Sequence, residues 1–281
     1  MWLKDVVYRH AVLRVLAVWI YQCRGARPWS FGYSFYKYAY IRGVIEQRLN
    51  IFRNGVLPTG YGKGLDERAV EYPWLFARMN DAQQRILDAG SSLNHYDLLN
   101  LPVWRGKDLH ITTLAYEGRP AAGVKPVYVY EDLRAMGYPN EFFDAVVCIS
   151  TLEHVGMDNT FLYTDDTAKK EDQAQVHLTA VDEMRRTLKD GGILYLTMPY
   201  GIYQNFQWFQ MFDGPMVDAV IKRFRPLQAE ITYYKYDRGQ WNTASQKDCA
   251  QGYYVDIHAG AHYNNDSPAA SQCVVCLSLT K

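Results

Sequence analysis

Three places in this chain set ionisable side chains directly after short apolar runs, where they would stand at the mouth of a sheet. The first is residues 85–90 (RILDAG), followed by Ser91 and Ser92. Gly90 would let the backbone approach a ligand closely, because a side chain there would fill the ligand's space. Asp88 could meet a cationic group through a charge-assisted hydrogen bond worth about 1.5–3 kcal/mol. An ordinary strand-to-helix turn accounts for the same residues. The second place is Asp132, just after Val127-Tyr128-Val129-Tyr130; it is either a ligand-binding carboxylate or the N-cap of a helix. The third is the run from Phe143 to Ser150 and Thr151, which ends on Glu153 and His154. An imidazole titrates near working pH, so His154 is the natural candidate for a general base, with Glu153 beside it. Packing beneath a ligand, or a helix cap, is the competing role. His95 and His177 are weaker rivals.

Other groups have ligand-like spacing and are read against a metal. Cys273-Val274-Val275-Cys276 matches a zinc pair, but no second pair accompanies it and the run reads as a buried strand. Asp158, Asp165 and Asp166 lie in the polar run 156–172, a candidate lid or surface loop, and such carboxylates are normally solvated. No metal is expected. The aromatic run from Tyr200 to Phe212 either stacks against a flat acceptor or packs in a core.

Residues 1–50 read as two basic helices broken between Gly25 and Gly32, and a short helical piece follows at 69–79, interrupted by Pro73. Strands are expected at 85–90, 109–116, 127–130, 143–150, 193–200, 231–237 and 273–280. Helices are expected at 171–189, ending at Asp190-Gly191-Gly192, and at 213–224. Strands alternating with helices imply an α/β fold, a Rossmann-like doubly wound sheet, mostly parallel with an antiparallel C-terminal pair. Ligands on such sheets bind at the carboxyl ends of the strands, near the switch point. The expected division is a basic helical extension or cap at 1–80 and an α/β domain at 81–281.

The 281 residues carry thirty charges of each sign, yet residues 1–63 hold ten basic against two acidic ones, +8, leaving −8 for the rest. That split suits an intramolecular dock of opposite charges, or a basic arm for an anionic partner. Five scattered cysteines argue against a disulfide framework and for a reducing cytoplasm. Residues 11–23 (AVLRVLAVWIYQC) fall short of the roughly 18–20 apolar residues of a membrane span and lack a clean signal-peptide cleavage site. They read as a helix that packs on the domain or rests peripherally on a membrane surface.

In order and spacing, the motifs resemble class I S-adenosylmethionine-dependent methyltransferases of the type 11 kind. Leu87-Asp88-Ala89-Gly90-Ser91-Ser92 looks like the family's first motif; Asp132-Leu133-Arg134 and Phe143 to His154 look like the stretch around its third and fourth strands. Leu188 to Leu194 looks like the turn before the fifth. More narrowly, residues 65–74 (LDERAVEYPW) and 149–159 (ISTLEHVGMDN) resemble bacterial methyltransferases encoded near surface-polysaccharide genes. The resemblance implies S-adenosylmethionine as cofactor, held by Asp88, Ala89, Gly90, Ser91 and Ser92, with Asp132 and the Leu133 N–H on the adenine and Ser150 and Thr151 completing the crevice. The family's ribose-binding acid is missing from the tip of the second strand, where Leu114-Ala115-Tyr116-Glu117 stands. Glu117 becomes the candidate, and Tyr116 a stacking residue. Ser92 and Asn94 stand near the places of two motif glycines. Arg68, in a segment with Glu71 and Tyr72, either meets the cofactor's carboxylate or forms a surface salt bridge. The implied reaction is methylation of a small-molecule or glycan acceptor at oxygen, in polysaccharide biosynthesis; the alternative is an inactive methyltransferase-like scaffold. A nicotinamide oxidoreductase would need Gly-x-Gly-x-x-Gly, which residues 88–94 do not supply. No nucleic-acid partner is expected, since no base-handling Asn/Asp-Pro-Pro-Tyr-like motif is present.

Overall fold

Apolar runs without polar alternation belong in strands buried on both faces, and the middle of the sheet is built from them. The computed structural model describes residues 11–118, 120, 123–164, 166–256 and 267–281. Its main sheet comprises β1 (Arg85–Ala89), β2 (Asp108–Thr113), β3 (Val127–Tyr130), β4 (Phe143–Ile149), β5 (Leu188–Pro199), β8 (Gln228–Asp237), β9 (Gln240–Ala244) and β10 (Cys273–Thr280), in the order β3-β2-β1-β4-β5-β10-β8-β9. The first five strands are parallel, while β10, β8 and β9 each pair antiparallel with the strand before them in that order. Strand order reverses direction around β1 and β4, which is where a doubly wound sheet opens its crevice. The Rossmann-like expectation holds. The antiparallel end has three strands rather than two, because an unforeseen hairpin turns at Arg238-Gly239.

One face is covered by the helices Ala11–Cys23, Tyr33–Gln47 and Arg68–Arg78, which share a continuous core with Ile86, Val147, Tyr195 and Trp241 of the sheet. The other face is covered by His177–Thr187 and Gly214–Phe224. In the former, Ala180, Val181 and Met184 recur at helical spacing and are buried. In the latter, the Asp213 side chain accepts from the Met216 N–H at 3.0 Å and Pro215 opens the first turn.

Several local expectations are corrected. Pro73 does not interrupt its helix: the carbonyl its missing N–H leaves unpaired, that of Ala69, accepts the Tyr61 hydroxyl at 2.6 Å. The helix expected at 171–189 begins only at His177, because Gln173 is tied by its N–H to the Gly156 carbonyl and Glu171 to Arg134. The turn at Asp190-Gly191-Gly192 lies inside β5 as a bulge, with Phe143 opposite Leu188 but Ala145 opposite Ile193. Strand β2 stops at Thr113, short of Tyr116. Cys273 and Cys276 do lie in a buried strand, and their spacing sends the two thiols to opposite cores.

The basic segment docks on acids of the rest of the chain. Arg14 meets buried Asp97 at 2.5 Å, and Lys37 meets buried Asp66 at 2.5 Å within reach of the Trp29, Tyr33 and Tyr38 rings. Lys4, Asp5 and Arg9 fall outside the described residues. Because Asp66 would be left buried with only neutral donors, Lys37→Met is expected to cost about 3 kcal/mol in urea denaturation, and Lys37→Met with Asp66→Leu distinctly less. Equal losses for both would contradict the ion pair's role.

Candidate functional site

The crevice forms where β1 and β4 end. Gly90 has a φ of +110°, and a Cβ there would come within 2.1 Å of the Thr151 side chain. The glycine therefore lets the β1 turn pack against the β4 turn. Non-glycine residues also adopt left-handed backbone on both sides of this seam, Ser91 with φ 63° and Ser150 with φ 39°. Such conformations persist only where surrounding contacts impose them.

For Ser150 those contacts are explicit. Its N–H donates to the Thr197 carbonyl and hydroxyl, each at 3.1 Å, and its Oγ donates to Glu71 Oε1 at 2.7 Å. The same Glu71 oxygen accepts from Thr197 Oγ1 at 2.7 Å, while Oε2 accepts from Arg68 Nη1 at 2.5 Å. Glu71 is fully buried. A single carboxylate thus ties the helix Arg68–Arg78 to the tip of β4 and to β5. One residue on, the Tyr72 hydroxyl donates to the Ser92 carbonyl at 2.6 Å and holds the β1 turn.

Two concavities meet at this joint. A cleft of about 680 Å³ runs over the ends of β1 to β4 and includes Gly90, Glu117, Asp132, Leu133, Thr151 and His154. A smaller pocket of about 380 Å³ includes Arg68, Glu67, Glu153, Trp208, Phe209 and Tyr254. Ser150 and His154 line both.

Within the cleft, Glu117 accepts from Thr113 Oγ1 at 2.6 Å and from the Tyr163 hydroxyl at 3.3 Å, so a carboxylate stands beyond the tip of β2. Glu131, unremarked in the sequence, is a second: Oε2 accepts from the Gly137 N–H, and Oε1 is buried with no hydrogen-bond partner among the described residues. Asp132 is held by Arg134, which also grips Glu171 of the overlying segment at 2.7 Å. Burial acts to raise the Asp132 pKa, but the Arg134 hydrogen bonds outweigh it and keep the carboxylate below its usual range.

Other expected cofactor residues have local duties. Asp88 is fully buried beneath the turn, accepting from Ser92 N, Ser92 Oγ and Leu93 N at 2.8–3.1 Å. Burial, partly offset by these bonds, raises its pKa to about 7. Asp88 shapes the turn from below and does not line the cleft. Ala89 is buried in β1, and Ser91 Oγ is buried without a partner among the described residues. Tyr116 is exposed, edge-on to Tyr130, and does not line the cleft. Arg68, expected on the cofactor's carboxylate, faces Glu71 and the smaller pocket.

In that pocket His154 Nδ1 lies 3.0 Å from the Trp208 carbonyl. A carbonyl only accepts, so Nδ1 carries the proton and Nε2 the lone pair. Burial, joined by the Arg68 charge, lowers the His154 pKa to about 4. Burial raises Glu153 and Glu67 each to about 8, and Glu153 Oε2 has no hydrogen-bond partner among the described residues. At neutral pH the pocket therefore offers a neutral imidazole and, in Glu153 and Glu67, largely protonated carboxyl groups, beside the Arg68 guanidinium and the Lys37–Asp66 ion pair. Trp208 and Phe209 come from the tip of the hairpin β6 (Gln204–Asn205) and β7 (Gln210–Met211), whereas Tyr200 and Phe212 pack in the core. His95 stacks on Tyr38 and His177 is buried against the Ala174 carbonyl; neither lines either concavity. Asp158 bonds Thr160 and Lys170, Asp166 caps a short turn, and Asp165 lies outside the described residues.

The donor set fits a sulfonium nucleoside cofactor. The glycine seam admits close approach, and two carboxylates stand over β2 and β3 to receive hydroxyl or amino hydrogens. Residues 106–196 match the family model described as a methyltransferase domain. No curated protein matches the chain. Among solved structures, it is similar to an S-adenosylmethionine-dependent methyltransferase of Archaeoglobus fulgidus (13% identity, 85% of this chain and 94% of that one, TM-score 0.45). It is also similar to one of Methanosarcina mazei (12% identity, 74% and 97%, TM-score 0.43). Likenesses this loose carry neither substrate nor site.

Truncating Glu71 would leave three donors unmatched in the core, so Glu71→Ala is expected to cost about 3–5 kcal/mol in chemical denaturation, and Glu71→Gln less; a loss under about 1 kcal/mol would contradict the joint. The pH profile gives a second check. The His154 pKa falls from 6.5 to about 4, so its contribution to stability is present above about pH 6.5 and is lost toward pH 4, as the unfolded chain takes up the proton first. Glu153, raised from 4.5 to about 8, contributes fully below pH 4.5 and loses that contribution as pH rises through about 8. His154→Gln should flatten the acid side of the urea-midpoint profile and Glu153→Gln the neutral-to-alkaline side; slopes unchanged in both would refute the assignments.

Proposed function

We propose that the chain is an S-adenosylmethionine-dependent methyltransferase, a reading that the methyltransferase-domain match over residues 106–196 supports, and that the methyl group passes from the larger cleft to an acceptor hydroxyl in the smaller pocket. The observation that carries this reading is the pair of concavities sharing Ser150 and His154. A transferase for two substrates needs two sites that touch, and this wall is where they do. Glu117, Asp132 and the Leu133 backbone would hold the cofactor's ribose and adenine, and the Gly90 turn its amino-acid end. Bound there, the cofactor supplies a methyl group on a positive sulfur, with a neutral thioether as leaving group.

The chain's own task is alignment and proton removal. Holding nucleophile and methyl carbon in line can remove about 7–11 kcal/mol of barrier. His154 Nε2, unprotonated at neutral pH, takes the proton of the acceptor hydroxyl as the new O–CH3 bond forms; with its pKa lowered to about 4 it is a weaker base than one poised near working pH, and its contribution lies at the low end, about 10² in rate. Glu153, largely protonated at neutral pH, donates to or accepts from a neighbouring acceptor hydroxyl and so orients it. Trp29, Trp208, Phe209 and Tyr254 suit the apolar face of a sugar ring. A glycan acceptor, and a place in polysaccharide biosynthesis, is the substrate reading these walls favour.

Isothermal titration with S-adenosylmethionine is expected to give micromolar binding, weakened at least about tenfold in Asp132→Ala and in Glu117→Ala. With a panel of glycosides as acceptors, His154→Ala should lower kcat about 10²-fold or more while leaving cofactor affinity within about twofold. Absent binding in folded wild-type protein would instead favour a non-enzymatic scaffold.

A further inference from the structure

The helix Ala11–Cys23 is amphipathic in the inverted sense. Its one charged residue, Arg14, is turned inward, paired with buried Asp97 at 2.5 Å and set over the Tyr96 ring. Ala17 and Tyr21 are buried on the same side, where Gly32 packs against the Ala17 carbonyl so closely that a Cβ would come within 2.3 Å. Its apolar residues point out: Val12 is 78% exposed, Val15 70%, Leu16 47% and Trp19 59%. The spacing i, i+3, i+4, i+7 sets these four on one stripe. A globular protein normally hides such a stripe, and an exposed one marks an interaction surface.

Two further observations say what covers it. Residues 11–31 contain no Asp or Glu, and the two cations after the helix, Arg24 and Arg27, are both exposed. The apolar surface also continues through exposed Trp29 and Phe31, and Trp29 is itself a wall of the smaller pocket, its indole N–H held by the Ala269 carbonyl at 2.5 Å. An apolar stripe with a Trp, flanked by arginines and free of acids, is the chemistry that lies in the interface of an anionic lipid surface. Among the described residues no helix is long and apolar enough to cross a membrane, so this helix would lie along the surface.

We propose that the helix Ala11–Cys23, with Arg24, Arg27, Trp29 and Phe31, seats the protein on an anionic lipid surface. The smaller pocket then opens beside that surface, toward an acceptor carried on a lipid. The second statement rests on the reading of the smaller pocket as the acceptor site; the first does not.

The test is co-sedimentation of the full chain with vesicles of phosphatidylcholine alone and of phosphatidylcholine with phosphatidylglycerol, with sizing chromatography beside it. The wild type is expected to sediment with the anionic vesicles and at least tenfold less with the neutral ones. Val15→Asp with Leu16→Asp, at exposed positions, should weaken anionic-vesicle binding at least tenfold, and Arg24→Glu with Arg27→Glu about 25-fold. Circular dichroism and S-adenosylmethionine affinity should be unchanged in both. No sedimentation of wild type, binding unaltered in both variants, or a dimer that Val15→Asp with Leu16→Asp dissolves would each overturn the proposal, the last by naming a second copy as the occupant. Vesicle binding is read without turnover, so a failed acceptor assignment, seen as His154→Ala turnover equal to wild type, is a separate result.

Discussion

One fully buried carboxylate organises the seam between the two concavities. Glu71 receives a guanidinium from its own helix, a hydroxyl from the strained Ser150 at the end of β4, and a hydroxyl from Thr197 on β5. An isolated carboxylate in such a place would be costly. With three donors it becomes a joint whose geometry is hard to change. Ser150 is held in a left-handed conformation that no local preference would choose, and through Ser150 the wall between cleft and pocket is fixed. The N-terminal segment is therefore part of the site's framework: it brings Glu71, and it brings Trp29, Lys37, Glu67 and Arg68 to the pocket.

The two concavities differ in the electrostatics their residues create. The cleft is ringed by Glu117, Glu131 and an Asp132 kept ionised by Arg134, a setting for a cofactor with a positive sulfur and several donor hydrogens. The pocket is aromatic, and burial pushes three of its ionisable groups toward their neutral forms, His154 downward and Glu153 and Glu67 upward, beside the cationic Arg68 and the Lys37–Asp66 ion pair.

How much of this was legible depended on whether the signal was local. The β1 turn, the apolar run of β4 and the Glu153-His154 pair could be read because a strand end followed by a glycine or an acid is a short-range pattern. The parallel core and the antiparallel finish followed from alternation and from the unbroken apolar β10. Glu71 could be noticed but not understood, since its partners lie at 150 and 197 and only the fold brings them together. Asp88 and Asp132 show the same limit: an acid after a strand can face a ligand or satisfy its own turn, and Asp88 caps its turn from below. Pro73 misled because the hydroxyl that takes up the freed carbonyl, that of Tyr61, is remote from it in the local pattern. The pocket's far wall, at Tyr254, Val255, Ala269 and Ala270, carries no motif at all.

The most direct measurement is a crystal structure of the protein with S-adenosylmethionine bound. The cofactor is expected to lie across β1 to β4, its ribose at Glu117, its adenine at Asp132 and Leu133, and its methyl group facing the Ser150–His154 wall toward Glu153. A cofactor whose methyl group points away from that wall, or whose amino-acid end fills the smaller pocket, would contradict transfer across the Ser150–His154 wall.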